Sequence, residues 1–234
     1  MCGVFIFPQM KNRFFVKHGF YVLLLITFSS CKKKDIILPT ITLAGENNVR
    51  QILNTQWTDP GYQATDNSDG DITTNVVVSG KVNKDFAGTY LITYTVADNS
   101  GNETSVNRNV TIYNEAGFLA GKYFANDTCQ LSAAVTYTAY ITPSTSTNME
   151  FTIENFGEWN LVCSCHPIIK MNMSGSSKNS LLSWNNQMIA GTDSLLAASG
   201  GGIISSLSPP QLSFSYQWAN GNTTKICSSL YTHQ

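Results

Sequence analysis

Beyond residue 31 the chain alternates apolar and polar positions in short runs, with no sustained helical periodicity. That pattern predicts strands with one buried face. The clearest run is 89–97, where Tyr90, Ile92, Tyr94 and Val96 share one face and Leu91, Thr93 and Thr95 the other. The segment after it, Asp98-Asn-Ser-Gly-Asn102, has the composition of a turn. Val106, Val110 and Ile112 then fall in one register over 104–112, closing a hairpin. Shorter runs at 37–43, 49–53 and 76–78 supply further strands at sandwich-like spacing.

A second set of runs follows. At 133–142 Val135, Tyr137, Ala139 and Ile141 oppose Thr136, Thr138, Tyr140 and Thr142. Phe151 opposes an acidic face at 150–154. Leu212, Phe214, Tyr216 and Trp218 alternate with Ser213, Ser215 and Gln217, and Ala219-Asn-Gly-Asn222 is a hairpin signal before a returning strand at 223–231. Ser199-Gly-Gly-Gly202 and Pro209-Pro210 read as connections. The punctuation changes near Asn114-Glu115-Ala116-Gly117, which places a boundary there. The expected fold is all-β: a sandwich over 36–114, then a second antiparallel domain over 117–234, a meander, sandwich or barrel-like sheet.

The N-terminus departs from this pattern. Lys11, Arg13 and Lys17 precede an apolar run at 21–28, then Ser29, Ser30, Cys31 and Lys32-Lys-Lys-Asp35. The run is too short for a membrane span, which needs roughly 20 apolar residues. The arrangement resembles a bacterial lipoprotein signal peptide. It implies removal of residues 1–30, lipidation of Cys31, and a tether at 31–35. Met10 provides an alternative start with an ordinary basic leader. The resemblance implies a membrane partner reached through the lipid, in the cell envelope, at the outer membrane and with surface exposure. Processing leaves eleven basic against fifteen acidic side chains, a balance of −4. Nothing in that charge suits nucleic acid.

Four ordered blocks carry a second resemblance: Trp57-Thr-Asp-Pro-Gly-Tyr-Gln-Ala-Thr-Asp66, Asp69-Gly-Asp-Ile-Thr73, Ala87-Gly-Thr-Tyr90 and Tyr94-Thr-Val-Ala-Asp-Asn-Ser-Gly-Asn102. They are similar to the bacterial surface Ig-like domain, also known from a pesticidal crystal toxin. The resemblance implies a spacer or adhesion module, with Tyr90 as a tyrosine-corner residue. More loosely, Ala120-Gly-Lys-Tyr123, Asp127-Thr-Cys129, Asn155-Phe-Gly157 and Cys227 near Tyr231 resemble a functionally uncharacterised C-terminal β domain of Bacteroidota lipoproteins.

Candidate chemistry is sparse. Asp59, Asp66, Asp69 and Asp71, with Asp98, suit either calcium, which takes six to eight oxygens, or turns capped through their own backbone. No cofactor other than calcium is expected. In an oxidising compartment Cys129 and Cys227 are the expected disulfide, joining the first and last strands of the second domain. Cys163-Ser-Cys-His166 has the wrong spacing for haem attachment and offers zinc three ligands at most. Trp159, Trp184 and Trp218 are candidates for stacking on sugar rings, with core packing the competing reading. Asp193-Ser-Leu195 matches a short O-glycosylation motif of Bacteroidota.

No nucleophile elbow, zinc-protease helix or phosphate loop is present. Glu150, Glu154 and Glu158 are the acidic residues from which a hydrolase would draw paired carboxylates. The expected function is therefore non-enzymatic: an Ig-like spacer on a lipid anchor, presenting a C-terminal domain to a glycan or protein ligand. The alternatives are a polysaccharide-binding accessory lipoprotein and a calcium-stiffened structural spacer.

Overall fold

The computed structural model describes residues 34–130, 132–157, 168–188, 197–220 and 223–234. The leader, Cys31, Trp159, Cys163, Cys165, His166 and the motif at 193–195 lie outside the described residues.

The protein is all-β, as the alternation predicts. The first body contains β1 (Thr40–Leu43), β2 (Asn48–Ile52), β3 (Tyr62–Asp66), β4 (Gly70–Asp71), β5 (Val77–Ser79), β6 (Gly88–Ala97) and β7 (Glu103–Tyr113). One sheet runs β1-β3-β4 and the other β2-β7-β6-β5, with β2 parallel to β7. Ile92, Tyr94 and Val96 of β6 and Val110 and Ile112 of β7 are buried against Ile41, Leu53, Ala64 and Ile72. The outer face of the β6–β7 hairpin carries cross-strand polar pairs: Thr89 with Thr111 at 3.1 Å, Thr93 with Asn107 at 2.9 Å, and Thr95 with Ser105 at 2.7 Å. The Tyr90 hydroxyl donates to the Phe86 carbonyl at 2.7 Å, pinning the corner that leads into β6.

The second body is a closed barrel of eight strands. These are β8 (Gly121–Cys129), β9 (Val135–Pro143), β10 (Glu150–Glu154), β11 (Ile168–Met173), β12 (Leu181–Met188), β13 (Ala197–Leu207), β14 (Pro210–Asn220) and β15 (Thr223–His233). Each strand pairs antiparallel with the next, and β15 returns to β8. Closure leaves no sheet edge to pair with another chain. Inward positions fill the barrel with Tyr123, Ile141, Phe151, Ile153, Met171, Leu212, Phe214 and Tyr231. Cys129 and Cys227 face each other across β8 and β15 and form a disulfide that spans 98 residues. Joining points so far apart shrinks the unfolded ensemble, an effect of about 2–4 kcal/mol.

One expectation is corrected here. The glycine run at 199–202 is strand, not connection. Gly200 and Gly202 pair with Tyr216 and Phe214 in β14. A Cβ on Gly202 would sit 2.4 Å from the Ser213 carbonyl oxygen and 2.5 Å from the Phe214 ring. Bare backbone is the condition for seating an aromatic strand this closely.

The two bodies are joined through Asn114 and the β9–β10 turn. Asn114, buried at the end of β7, donates its amide to the carbonyls of Ser144, Thr147 and Glu150 at 2.9, 3.1 and 2.9 Å. Its oxygen accepts the N–H groups of Ala116 and Met149 at 2.9 and 2.8 Å. Asn54 adds bonds to the Ser146 carbonyl and the Asn148 N–H. Ala87 N–H donates to the Thr145 carbonyl at 2.7 Å. Asn114→Ala strands several of these buried groups, so it is expected to destabilise the protein by about 1–3 kcal/mol. Thermal denaturation checks this; an unchanged melting temperature would mean that the joint contributes nothing to stability.

Candidate functional site

Strand direction sets the two ends of the sandwich. β6 runs away from the joint and β7 returns to it, so the β6–β7 turn lies one strand length from the barrel, about 33 Å for ten residues. The tether arrives at that remote end. Asn102 in the turn donates its amide to the carbonyls of Asp35 and Ile37 at 3.3 and 3.2 Å. Thr104 Oγ1 donates to the Pro39 carbonyl at 2.6 Å. At the barrel, β8, β10, β12 and β14 all run away from the joint. The β8–β9, β10–β11, β12–β13 and β14–β15 connections therefore leave from the far end.

Of the two readings of the aspartates, a shared calcium site or turns capped through their own backbone, Asp59, Asp69 and Asp71 do not follow the first. Asp59 lies on the inner side of the sandwich, where its carboxylate takes hydrogen bonds from Arg108 Nη1, the Tyr94 hydroxyl and the Gly61 N–H. Arg108 is fully buried and also donates to the carbonyls of Ala44 and Gly61. Asp69 bridges two turns by accepting the backbone and side-chain N–H groups of Asn99 at 2.9 and 2.7 Å. Asp71 accepts the Thr73 N–H at 2.9 Å, and bonding to the Thr73 side chain and backbone holds its carboxyl below the usual range. These three carboxylates act on their own chain. Asp66 alone joins a carboxylate group, and its partners are Asp98 and the tether residue Asp35. Each of the three offers an oxygen within 4.8 Å of the other two.

Burial, then the Asp59 hydrogen bond and charge, push the Tyr94 hydroxyl up to about 12 from its ordinary 10. The raised value means the folded state holds this proton more tightly than the unfolded chain. The stability it carries is whole below pH 10 and drains away as pH rises through about 12. Alkaline denaturation should accordingly begin above pH 10, and Tyr94→Phe should shift its onset upward. An onset that Tyr94→Phe leaves in place would remove Tyr94 as the cause.

In the barrel, the sugar-stacking reading of Trp184 is corrected. Its side chain is 7% exposed and packs edge-on against Phe156 and Phe214 at centroid distances of 5.7 and 6.2 Å. An indole enclosed this way presents no face to solvent. Trp218 stands near the far end of β14. Phe156 follows β10, where Asn155 (φ 60°) and Gly157 (φ 82°) turn the chain inward. Its ring lies among Trp184, Phe214, Tyr216 and Tyr231, with centroids 4.9–6.0 Å away.

Beside this plug sits Asp127, 1% exposed. The hydroxyls of Tyr216 and Tyr137 donate to it, Tyr137 bonds Tyr231 at 2.7 Å, and the Gly157 N–H donates to Tyr137 at 2.8 Å. Burial above all raises the Tyr137 and Tyr231 hydroxyls well above their ordinary value. They stay protonated and serve as donors. Hydrogen-bonded by phenols, Asp127 is a structural carboxylate. On the outer surface Glu150 pairs with Lys170 at 3.1 Å, and Glu154 is exposed. Sequence reasoning missed Arg108 and Asp35. The Arg108 signal was available, since it stands in register with Val106, Val110 and Ile112.

Comparison with known proteins adds the following. No curated protein matches the chain. A lipoprotein from Bacteroides thetaiotaomicron is 16% identical, with 82% of this chain and 99% of that one covered at a TM-score of 0.35. A candidate outer membrane protein from Bacteroides fragilis is 10% identical, with 84% and 94% covered at a TM-score of 0.36. A Clostridium perfringens structure of a CBM51-2 domain in complex with GlcNAc, with INT domains, is 13% identical, with 83% and 44% covered at a TM-score of 0.27. Scores this low establish no shared fold. The family model of the bacterial surface protein Ig-like domain matches residues 41–112, from β1 to the end of β7. Over that segment the chain is similar to the bacterial surface Ig-like domain, and its two-sheet sandwich agrees with the match.

Proposed function

We propose that this protein is a non-enzymatic, lipid-anchored envelope protein whose Ig-like domain holds the barrel away from the membrane and presents its far end to a ligand. One observation carries the reading: the tether and the barrel attach at opposite ends of the sandwich. Asn102 straps the tether at one end and Asn114 bolts the barrel at the other. A strand of ten residues separates them by about 33 Å. The lipid on Cys31 would place the strapped end at the membrane, and three basic residues beside it, Lys32 to Lys34, suit anionic headgroups.

A polysaccharide is the favoured ligand class. Trp218 stands near the end of β14, at the far end of the barrel, and Trp159 follows β10 in sequence. A glycan array and an insoluble-polysaccharide pull-down with the oxidised protein test this. Saturable binding lost in Trp159→Ala or Trp218→Ala supports a glycan-binding lipoprotein. Absence of binding by folded protein across a broad panel overturns the glycan reading and leaves a protein ligand, sought by cross-linking on intact cells.

A further inference from the structure

The membrane-side end of the sandwich holds a charge arrangement that the spacer role does not require. Asp66 comes from the end of β3, Asp98 from the β6–β7 turn, and Asp35 from the tether, yet each offers an oxygen within 4.8 Å of the other two. Asp66 and Asp98 are more than nine-tenths buried. Among the described residues none of the three makes an ion pair with Lys, Arg or His. Three like charges gathered without a counter-charge, two of them largely out of water, oppose folding.

Hydrogen bonds from the protein reach both oxygens of Asp98 but only one of Asp66. Asp66 Oδ1 accepts the N–H groups of Ser68 and Asp69 at 2.9 and 3.0 Å. Asp98 Oδ1 accepts those of Ser100 and Asn102, both at 2.8 Å, and its Oδ2 accepts the Asn102 side-chain amide at 2.6 Å. The second oxygen of Asp66 is buried and accepts nothing. A buried anionic oxygen without a donor is rare in folded proteins and marks a missing partner. These bonds also orient the carboxylates, which is what a preorganised ion site needs.

We infer that Asp35, Asp66 and Asp98 form a calcium site that clamps the tether onto the Ig-like domain. Calcium binds oxygen at 2.3–2.6 Å, so opposed ligands on one ion stand about 4.6–5.2 Å apart. Oxygens that lie within 4.8 Å of one another can share one such ion. Magnesium demands near-ideal octahedral geometry at 2.0–2.1 Å and gives up its water reluctantly, which suits carboxylates drawn from three separate stretches of chain less well. Three carboxylates supply three to six oxygens according to how many bind through both atoms, and water completes the shell. The ligand set couples three separate stretches of chain, one of them only four residues after Cys31. On the proposed lipid anchor, calcium binding would therefore fix the angle at which the sandwich leaves the membrane. The site itself does not depend on that reading.

The test uses the full-length protein in detergent, stripped with a chelator and titrated with calcium chloride in a calorimeter. The expected result is one saturable site near the 10−4–10−3 M typical of extracellular calcium modules, weaker binding of magnesium, and a higher melting temperature with calcium. Asp66→Asn should weaken binding at least tenfold. Asp35→Asn decides the case if Asp66→Asn fails to fold, because Asp35 precedes the first strand. It too should lose at least tenfold in affinity, and calcium should slow tryptic cleavage after Lys34 in the wild type only. No calcium heat in the wild type overturns the site. Unchanged affinity in Asp35→Asn overturns the clamp.

Discussion

Asp59→Ala is expected to cost the Ig-like domain about 3–5 kcal/mol, the usual effect of removing one partner from a buried ion pair. The fully buried Arg108 would lose its one charged partner among the described residues and keep the Tyr94 hydroxyl and two carbonyls. Neutral acceptors do not replace a carboxylate for a desolvated guanidinium. Asp59 is itself 28% exposed, so water entering at its place offsets part of the loss and favours the lower end of that range. A surface pair behaves differently. Lys84 and Asp85 lie 2.8 Å apart with side chains 41% and 57% exposed, so Asp85→Ala should cost about 0–1 kcal/mol. Replacing both members of the buried pair, as Arg108→Met with Asp59→Leu, should recover most of the loss, because no charge is then left without a partner. Chemical denaturation followed through Trp57, which packs on the sandwich core, measures all three. A cost below about 1 kcal/mol for Asp59→Ala would show that Arg108 is solvated in solution.

Phe156→Ala is expected to destabilise the barrel by about 3–5 kcal/mol. The side chain is 1% exposed and meets four aromatic rings, so truncation opens a hole between rigid neighbours. Rings cannot close such a void by small rotamer changes, and both the transfer loss and the cavity remain. Phe156→Leu keeps more of the volume and should cost clearly less. Phe86→Ala is the control: half-exposed, with its backbone engaged by Tyr90 and Asn83, it should change stability by no more than about 0.5 kcal/mol. Trp184 fluorescence reports the barrel, since its ring touches Phe156. Equal effects of Phe156→Ala and Phe86→Ala would refute the plug.

How much of this was legible depends on the residue. The strand at 150–154 coincides with β10, and 89–97 differs from β6 by one residue, because period-two alternation between a dry and a wet face is a local property. β3, β4, β8, β11, β12 and β13 did not announce themselves as runs. β13 hides behind its glycines, which read as a loop in isolation and as clearance once Phe214 and Tyr216 lie beside them. Asn155-Phe-Gly157 stood out as a motif, yet its function as a turn that drives Phe156 inward depends on the surrounding barrel.

The acidic residues show the same limit more sharply. Asp59, Asp66, Asp69 and Asp71 are neighbours in sequence, and with Asp98 they suit either a shared calcium site or separate turn caps. Folding turned three of them to local work and joined Asp66 to residues 31 positions before it and 32 after it. Carboxylates converge by where turns and strand ends meet, a distance relation that linear spacing does not carry. The sequence by itself determined that the chain is all-β, that an Ig-like domain comes first, and which faces of the longest strands are buried. These follow from alternation and turn chemistry within a few residues. Only the tertiary structure decided that eight strands close into a barrel, that Arg108 turns inward to Asp59, that Trp184 is core, and that the tether returns to meet Asp66 and Asp98. Each of those is a contact between distant segments, set by packing and charge compensation across the whole fold.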